Sequence, residues 1–181
     1  MSKVLVIHLK DKSTDFLKLI YKDKDYDVIN EFKTEVQGRE ELIEAIKNHD
    51  KIIMMGHGLP SGLINPTRKG CGIIAIDYTF ADLLRTKETV SIWCWSDQFF
   101  RAHKMKGFHT GMIISECSEQ KFALGKVYLD KEQQLANMEK FATIVGECID
   151  KTPLEMQKYI LDHYNDNDKV TEFNRKNIIV L

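Results

Sequence analysis

Short runs of consecutive apolar residues alternate along this chain with stretches whose apolar residues recur every three or four positions. That alternation predicts parallel strands joined by amphipathic helices. The first run is Val4–His8, followed by a polar break and a helical stretch over about Thr14–Tyr21. Tyr26–Ile29 reads as a weaker strand. Gly38 opens a helix that carries Leu42, Ile43, Ala45 and Ile46 on its apolar side. Lys51–Met55 is apolar on both faces, as a central parallel strand should be, and it runs into Gly56-His57-Gly58.

Between Leu59 and Asp77 the pattern changes. Pro60, Gly62, Pro66, Gly70 and Gly72 cluster around two short apolar pieces, Leu63-Ile64 and Ile73–Ile76, with Arg68 and Lys69 at a basic turn. This predicts a β-hairpin or an excursion from the main sheet. Helix resumes over Tyr78–Arg85, and Thr89–Trp93 is the next strand, ending at Cys94. Ser96 is placed as the N-cap of a helix through Phe100 to His103. Gly111–Ile114 reads as a strand, followed by Ser115-Glu116 and a short helix to Leu124. Lys131–Tyr164 is helical apart from a break at Thr152-Pro153, where Thr152 caps a new helix with Pro153 first. Val170–Phe173 and Ile178–Leu181 read as terminal strands. No repeat, low-complexity segment or linker interrupts the sequence, so residues 1–181 are read as a single α/β domain with a mostly parallel central sheet.

Composition narrows the function classes. The chain has 181 residues, 26 Lys plus Arg, 27 Asp plus Glu and a formal charge of -1. A chain of this size buries roughly 70% of its unfolded surface, so a core needs no covalent staples. The charge balance argues against nucleic acid or an anionic membrane as the main partner. No apolar run approaches the ~20 residues that span a bilayer, and the N-terminal MSKVLVIHLK lacks the form of a signal peptide. Cys71, Cys94, Cys117 and Cys148 contain no C-x-x-C and read as reduced thiols of a cytoplasmic protein.

Two strand ends carry the candidate chemistry. One buried strand ends in His57 between glycines, and another ends in Cys94. Ligands of open α/β sheets sit at the carboxyl ends of the strands, and neighbouring strands lie about 4.8 Å apart, so the two side chains can meet over one crevice. An adjacent imidazole can take the proton of a thiol that is largely protonated at neutral pH. The N-terminus of the helix after Cys94 adds a dipole that favours thiolate. Gly58 admits a close main-chain approach, and its N–H and that of Cys94 form a candidate oxyanion hole.

In these two patterns the chain resembles the caspase-like (clan CD) cysteine peptidases, nearest to the metacaspase, clostripain and CHAT type. They share an apolar strand ending in His-Gly and, a few dozen residues later, an apolar strand ending in Cys. His57, Gly58 and Cys94 match in that order, Ser96 matches a small residue two positions after the cysteine, and the resemblance covers about Lys3 to Leu124. It implies a three-layer α/β/α fold and a cysteine endopeptidase with a His57-Cys94 dyad, a protein or peptide substrate and no cofactor. The caspase Q-A-C-[RQG]-G signature is absent, the segment reading Ile92-Trp93-Cys94-Trp95-Ser96. Ile92 stands where many basic-specific members have Asp, so specificity for Arg or Lys is not implied.

Ile92, Trp95, Ser96 and Glu116 are the candidate substrate-binding residues. Glu116 reads equally as a negative pocket wall or a solvated helix start favoured by the dipole. Trp93 and Trp95 read as strand packing or as pocket wall, Cys148 as core, Cys117 as packing or cleft lining, and Cys71 as a reactive thiol ranked below Cys94. His103 and His109 lack partners at zinc-ligand spacing, so no metal is expected. C-x5-R, nucleophile-elbow and phosphate-loop patterns are all missing. The competing reading is a non-catalytic caspase-like domain that acts as a binding or regulatory module.

Overall fold

The computed structural model describes residues 3–32, 35–66 and 73–181, with main chain alone at 35–37. Cys71, Arg68, Lys69, Gly70 and Gly72 therefore lie outside the described residues. The chain is mixed α/β around a mostly parallel six-stranded sheet. In chain order the strands are β1 (Val4–His8), β2 (Asp27–Ile29), β3 (Lys51–Met55), β4 (Gly58–Leu59), β5 (Gly62–Asn65), β6 (Ile73–Ile76), β7 (Glu88–Ile92), β8 (Phe108–Thr110) and β9 (Ile178–Val180). The helices are α1 (Glu35–Lys47), α2 (Ala81–Leu84), α3 (Ser96–Ala102), α4 (Cys117–Leu124), α5 (Lys131–Cys148), α6 (Pro153–His163) and α7 (Lys169–Lys176), with 3-10 segments at Lys12–Ile20 and Tyr78–Phe80. No described helix is long and apolar enough to cross a membrane.

The main sheet runs β2-β1-β3-β7-β8-β9, parallel throughout except for β9 against β8. The chain leaves β1 to one side for β2, then returns through α1 to place β3 on the other side. The carboxyl ends of β1 and β3 thus form the point where the winding reverses, the usual position of a ligand crevice. β4, β5 and β6 form a separate antiparallel three-stranded sheet, the excursion that the Pro- and Gly-rich segment predicts.

β1, β3 and β7 bury both faces. Leu5, Ile7, Ile52 and Met54 join α1, α2 and α3 in one apolar cluster through Leu42, Leu84, Phe99 and Phe100. Val6, Ile53, Met55, Val90 and Ile92 join α5 and α6 in the other through Phe141, Val145, Met156 and Ile160. All five residues of β3 are buried, Lys51 included. Its ammonium is held 2.6 Å from the Glu88 carboxylate and donates to the Ile149 carbonyl at 2.7 Å, which offsets its loss of water. The 3-10 segment after β1 packs Leu17 and Ile20 into the α5 cluster. At their contact, a Cβ on Gly146 would come within 3.0 Å of the Ile20 carbonyl, so glycine sets how closely these elements approach.

Several boundaries differ from the sequence-based expectation. The strand expected at Gly111–Ile114 is Phe108–Thr110 instead. The Ile114 main chain leaves the ladder and is satisfied by side chains: its N–H donates to Asn174 Oδ1 at 2.7 Å, and its carbonyl accepts from Gln134 and Asn174. Val170–Phe173 is not a strand but lies within α7. Asp168 caps that helix by accepting from the Val170 and Thr171 N–H groups, and Val170, Thr171 and Asn174 form its buried side. Gly38 sits inside α1, where a Cβ would meet the Phe32 ring at 2.5 Å. Ser96 does not cap α3; the cap position is Trp95, and it makes no side-chain cap bond.

His109 on β8 is wholly buried, stacks on Phe100 with centroids 3.9 Å apart, and has no partner for either ring nitrogen among the described residues. Its strand partner Ser91 likewise carries an unpartnered buried hydroxyl. Burial, reinforced by the nearby Arg101 charge, pushes the His109 imidazole down to about 3. An unfolded chain protonates this residue below about 6.5, whereas the folded chain refuses the proton until much lower pH. This residue's stabilising contribution is therefore complete above about 6.5 and is lost as pH falls, by about 1.4 kcal/mol per pH unit. His109→Leu is expected to flatten the decline of denaturant-unfolding stability between about pH 6 and pH 4. An unchanged pH slope would contradict the buried neutral imidazole.

Candidate functional site

β3 and β7 pair in register, with Met55 opposite Ile92. The Gly56 N–H donates to the Ile92 carbonyl at 3.1 Å, so the pairing extends one residue past the ends of the strands. Gly56 then takes φ +139, a conformation that favours glycine and turns the chain out of the sheet. His57 and Cys94 each follow this pair of strand ends by two residues, and both line one cavity of about 40 Å³. Its walls include Phe16, Ile92, Ser115, Glu119 and Met138. The volume holds a few waters and no amino-acid side chain. A groove of about 600 Å³ adjoins it through the shared residues Phe16, Ser115 and Met138.

The two candidate residues have separate partners. His57 Nε2 lies 2.7 Å from Ser13 Oγ and 3.7 Å from Asp11 Oδ1, with the side chain 42% exposed. Cys94 is half-buried, and its Sγ–H points to the Ile113 carbonyl at 3.6 Å. Burial pushes the Cys94 thiol up to about 11; the Ile113 contact opposes this and the Glu119 charge adds to it. Burial thus favours a neutral resting thiol rather than the thiolate expected from the helix position. Trp95, directly after it, is held at φ 65, a left-handed conformation that costs a bulky residue on the order of 1–3 kcal/mol. Its N–H donates to the Gly111 carbonyl at 3.2 Å, which helps hold that turn.

The remaining candidates are dispersed. Ile92 is buried and lines the cavity. Trp95 is half-buried and is not among the lining residues. Ser96 is fully buried and lies outside the cavity wall. Its hydroxyl is within bonding distance of the Ser91 and Thr110 carbonyls and accepts from the Thr110 N–H at 2.9 Å, tying the end of β7 to the end of β8. Glu116 is exposed at the start of α4 and lines the adjoining groove with Cys117. Gly58 has a packing role: a Cβ there would lie 1.9 Å from Trp93 Cδ1, so the indole occupies the side of the main chain expected to admit substrate. Trp93 itself is core, packed on Phe99 and Phe100, with its indole N–H donating to the Leu59 carbonyl at 3.3 Å. Cys148 is core as expected, and Cys117 points its thiol to the Leu129 carbonyl at 3.7 Å.

Three residues at the site carry no individual signal in the sequence. Asp11 and Ser13 begin the 3-10 segment after β1, where Asp11 Oδ1 accepts from the Ser13 N–H at 2.8 Å and the Ser13 hydroxyl at 2.5 Å. D-x-S at the end of a strand is a capping pattern, and only the β1/β3 adjacency brings it to His57. Glu119 accepts from the Ser115 N–H and hydroxyl and from the Glu116 N–H, which turns its carboxylate towards the cavity wall.

No protein-family model matches the chain, and no curated protein matches it in a sequence search. Its fold defines a mixed α/β protein with a mostly parallel sheet and a histidine and a cysteine just past adjacent strand ends.

The raised thiol gives a direct prediction. Alkylation of Cys94 by iodoacetamide, followed by peptide mass spectrometry, is expected to accelerate with pH towards about 11. A rate that levels near about 8.5, the value for a free cysteine, would contradict the buried neutral thiol.

Proposed function

We propose that this chain is a cysteine hydrolase that cleaves peptide bonds with His57 and Cys94. The observation that carries the reading is the in-register pairing of β3 with β7, which puts both side chains on the wall of one cavity. The apolar clusters on opposite faces of the sheet support a three-layer, caspase-like arrangement. Free thiols at Cys94, Cys117 and Cys148 fit a cytoplasmic protein.

In this reading the neutral thiol leaves the Ile113 carbonyl and turns to the substrate. As sulfur bonds to the peptide carbonyl carbon, the Sγ–H proton passes to His57 and the carbonyl pair moves onto oxygen. Of the two expected oxyanion donors, the Cys94 N–H is the one whose residue lines the cavity and holds that oxyanion, because Trp93 fills the side of Gly58. The imidazolium then gives its proton to the leaving amine as the C–N bond breaks. Water, deprotonated by His57, hydrolyses the thioester and restores the thiol. The adjoining groove, with Phe16 and Met138 shared with the cavity and Glu116 on its wall, receives the peptide, because the cavity itself is too small.

The raised Cys94 thiol favours a second reading, a non-catalytic domain that binds a partner through the same groove. The two separate on covalent labelling. A peptide-derived acyl probe is expected to label the wild-type protein at Cys94. Cys94→Ala and His57→Ala should each abolish labelling, as read by mass spectrometry. Labelling that persists at Cys71 or Cys117 in Cys94→Ala would overturn the assignment. A wild-type protein that is never labelled would favour the binding module.

A further inference from the structure

The contacts around His57 fix where its proton sits. Ser13 Oγ has one hydrogen and two close polar neighbours, Asp11 Oδ1 at 2.5 Å and His57 Nε2 at 2.7 Å. Burial raises the Asp11 carboxyl, but bonds from the Ser13 hydroxyl and N–H pull it down, and it lies below the ordinary carboxylate range once the His57 ring is charged. Asp11 is therefore ionised at neutral pH and can only accept. The Ser13 hydroxyl must then donate to Asp11, because any other orientation sets two lone pairs against each other at 2.5 Å. Its oxygen is left as an acceptor towards the ring, so the ring must supply the hydrogen. The chain of donors runs from His57 Nε2–H to Ser13 Oγ–H to the Asp11 carboxylate.

We propose that Asp11 and Ser13 are positioning residues that lock neutral His57 as the Nε2–H tautomer and present Nδ1 as its base. Nδ1 has no hydrogen-bond partner among the described residues. The inference rests on the cysteine-hydrolase reading in so far as Nδ1 is the atom that receives the Cys94 proton. On receiving it the ring becomes cationic, and the Asp11 carboxylate, 3.7 Å from Nε2, stabilises that charge through Ser13. The same geometry removes Ser13 as a rival nucleophile. In a serine triad the carboxylate sits on the far nitrogen of the imidazole and the serine donates to the near one. Here the carboxylate sits on the serine, whose proton is committed to it.

The 3-10 segment supplies the rigidity this role needs. Asp11 caps it through the Ser13 N–H, and its Leu17 and Ile20 are anchored in the cluster with α5. Asn at position 11 would keep the capping oxygen and lose the charge. Thr at position 13 would keep the hydroxyl, and Ala would remove it.

The test has two readouts on the full chain. Long-range proton–nitrogen NMR of nitrogen-labelled protein, at a pH where His57 is neutral, reports the tautomer. The expected result is Nε2–H in the wild type and in Ser13→Thr, with a mixed population in Ser13→Ala at unchanged melting temperature. An Nδ1–H tautomer in the wild type, or a tautomer unaltered in Ser13→Ala, overturns the proposal. The rate of acyl-probe labelling at Cys94 is expected to fall at least about tenfold in Ser13→Ala and Asp11→Asn, as when a group that fixes an imidazole tautomer is lost. Ser13→Thr should restore it. A normal rate in both variants would overturn the positioning role. Labelling that does not depend on His57, alongside the expected tautomers, would remove the hydrolase reading and keep the lock.

Discussion

The parallel pairing of β3 with β7 is the constraint on which the site depends. Side chains alternate along a strand, so a slip of one residue would send alternate side chains to the wrong face. It would also separate His57 from Cys94 along the strand direction. Here the register puts Met55 against Ile92, and the next main-chain bond, from Gly56 to Ile92, carries the match to the edge of the cleft. That register is held from both sides. Ile52 and Met54 are committed to the cluster with α1 and α3, while Ile53 and Met55 are committed to the cluster with α5 and α6. Moving β3 by one residue would exchange two packed faces at once, and at the far end it would strip buried Lys51 of Glu88 and the Ile149 carbonyl.

The reversal in strand order adds what the β3–β7 pair lacks. Because β1 lies on the other side of β3, the segment leaving β1 passes beside His57 and brings Asp11 and Ser13 to its Nε2 edge. The histidine thus has a carboxylate held near it from the β1 side and shares a cavity wall with the thiol from the β7 side. The cysteine side is less prepared. Sγ rests against the Ile113 carbonyl in a cavity of about 40 Å³, and burial keeps it protonated. In the proposed hydrolase reading, the base is ordered in advance and the thiol is engaged only by substrate.

Much of this was legible in the sequence where one physical cause dominates. β1 and β3 are mainly apolar runs, β7 alternates Val90 and Ile92 with small buried Thr89 and Ser91, and all three are buried on both faces, so His57 and Cys94 could be placed at strand ends without coordinates. Capping chemistry located α6 through Thr152 and Pro153. The failures have equally definite causes. β8 was hidden because Phe108-His109-Thr110 holds a single apolar residue between glycines, and the burial of His109 against Phe100 leaves no mark in the sequence. The apolar, β-branched look of Val170–Phe173 concealed a helix fixed by Asp168. Ser96 looked like a cap from its neighbours, but its hydroxyl is used across the β7–β8 junction. Asp11 and Ser13 had no meaning until the topology brought β1 beside β3.

The most direct measurement of the central claim is a double-mutant cycle on peptide turnover. Wild type, His57→Ala, Cys94→Ser and the double variant would be compared on a fluorogenic peptide library. Groups that act as one unit give grossly non-additive losses. The account predicts measurable wild-type turnover and a double variant no slower than the worse single one. Losses that multiply, or an absence of wild-type turnover, would contradict the claim that this register pairs a working histidine and cysteine.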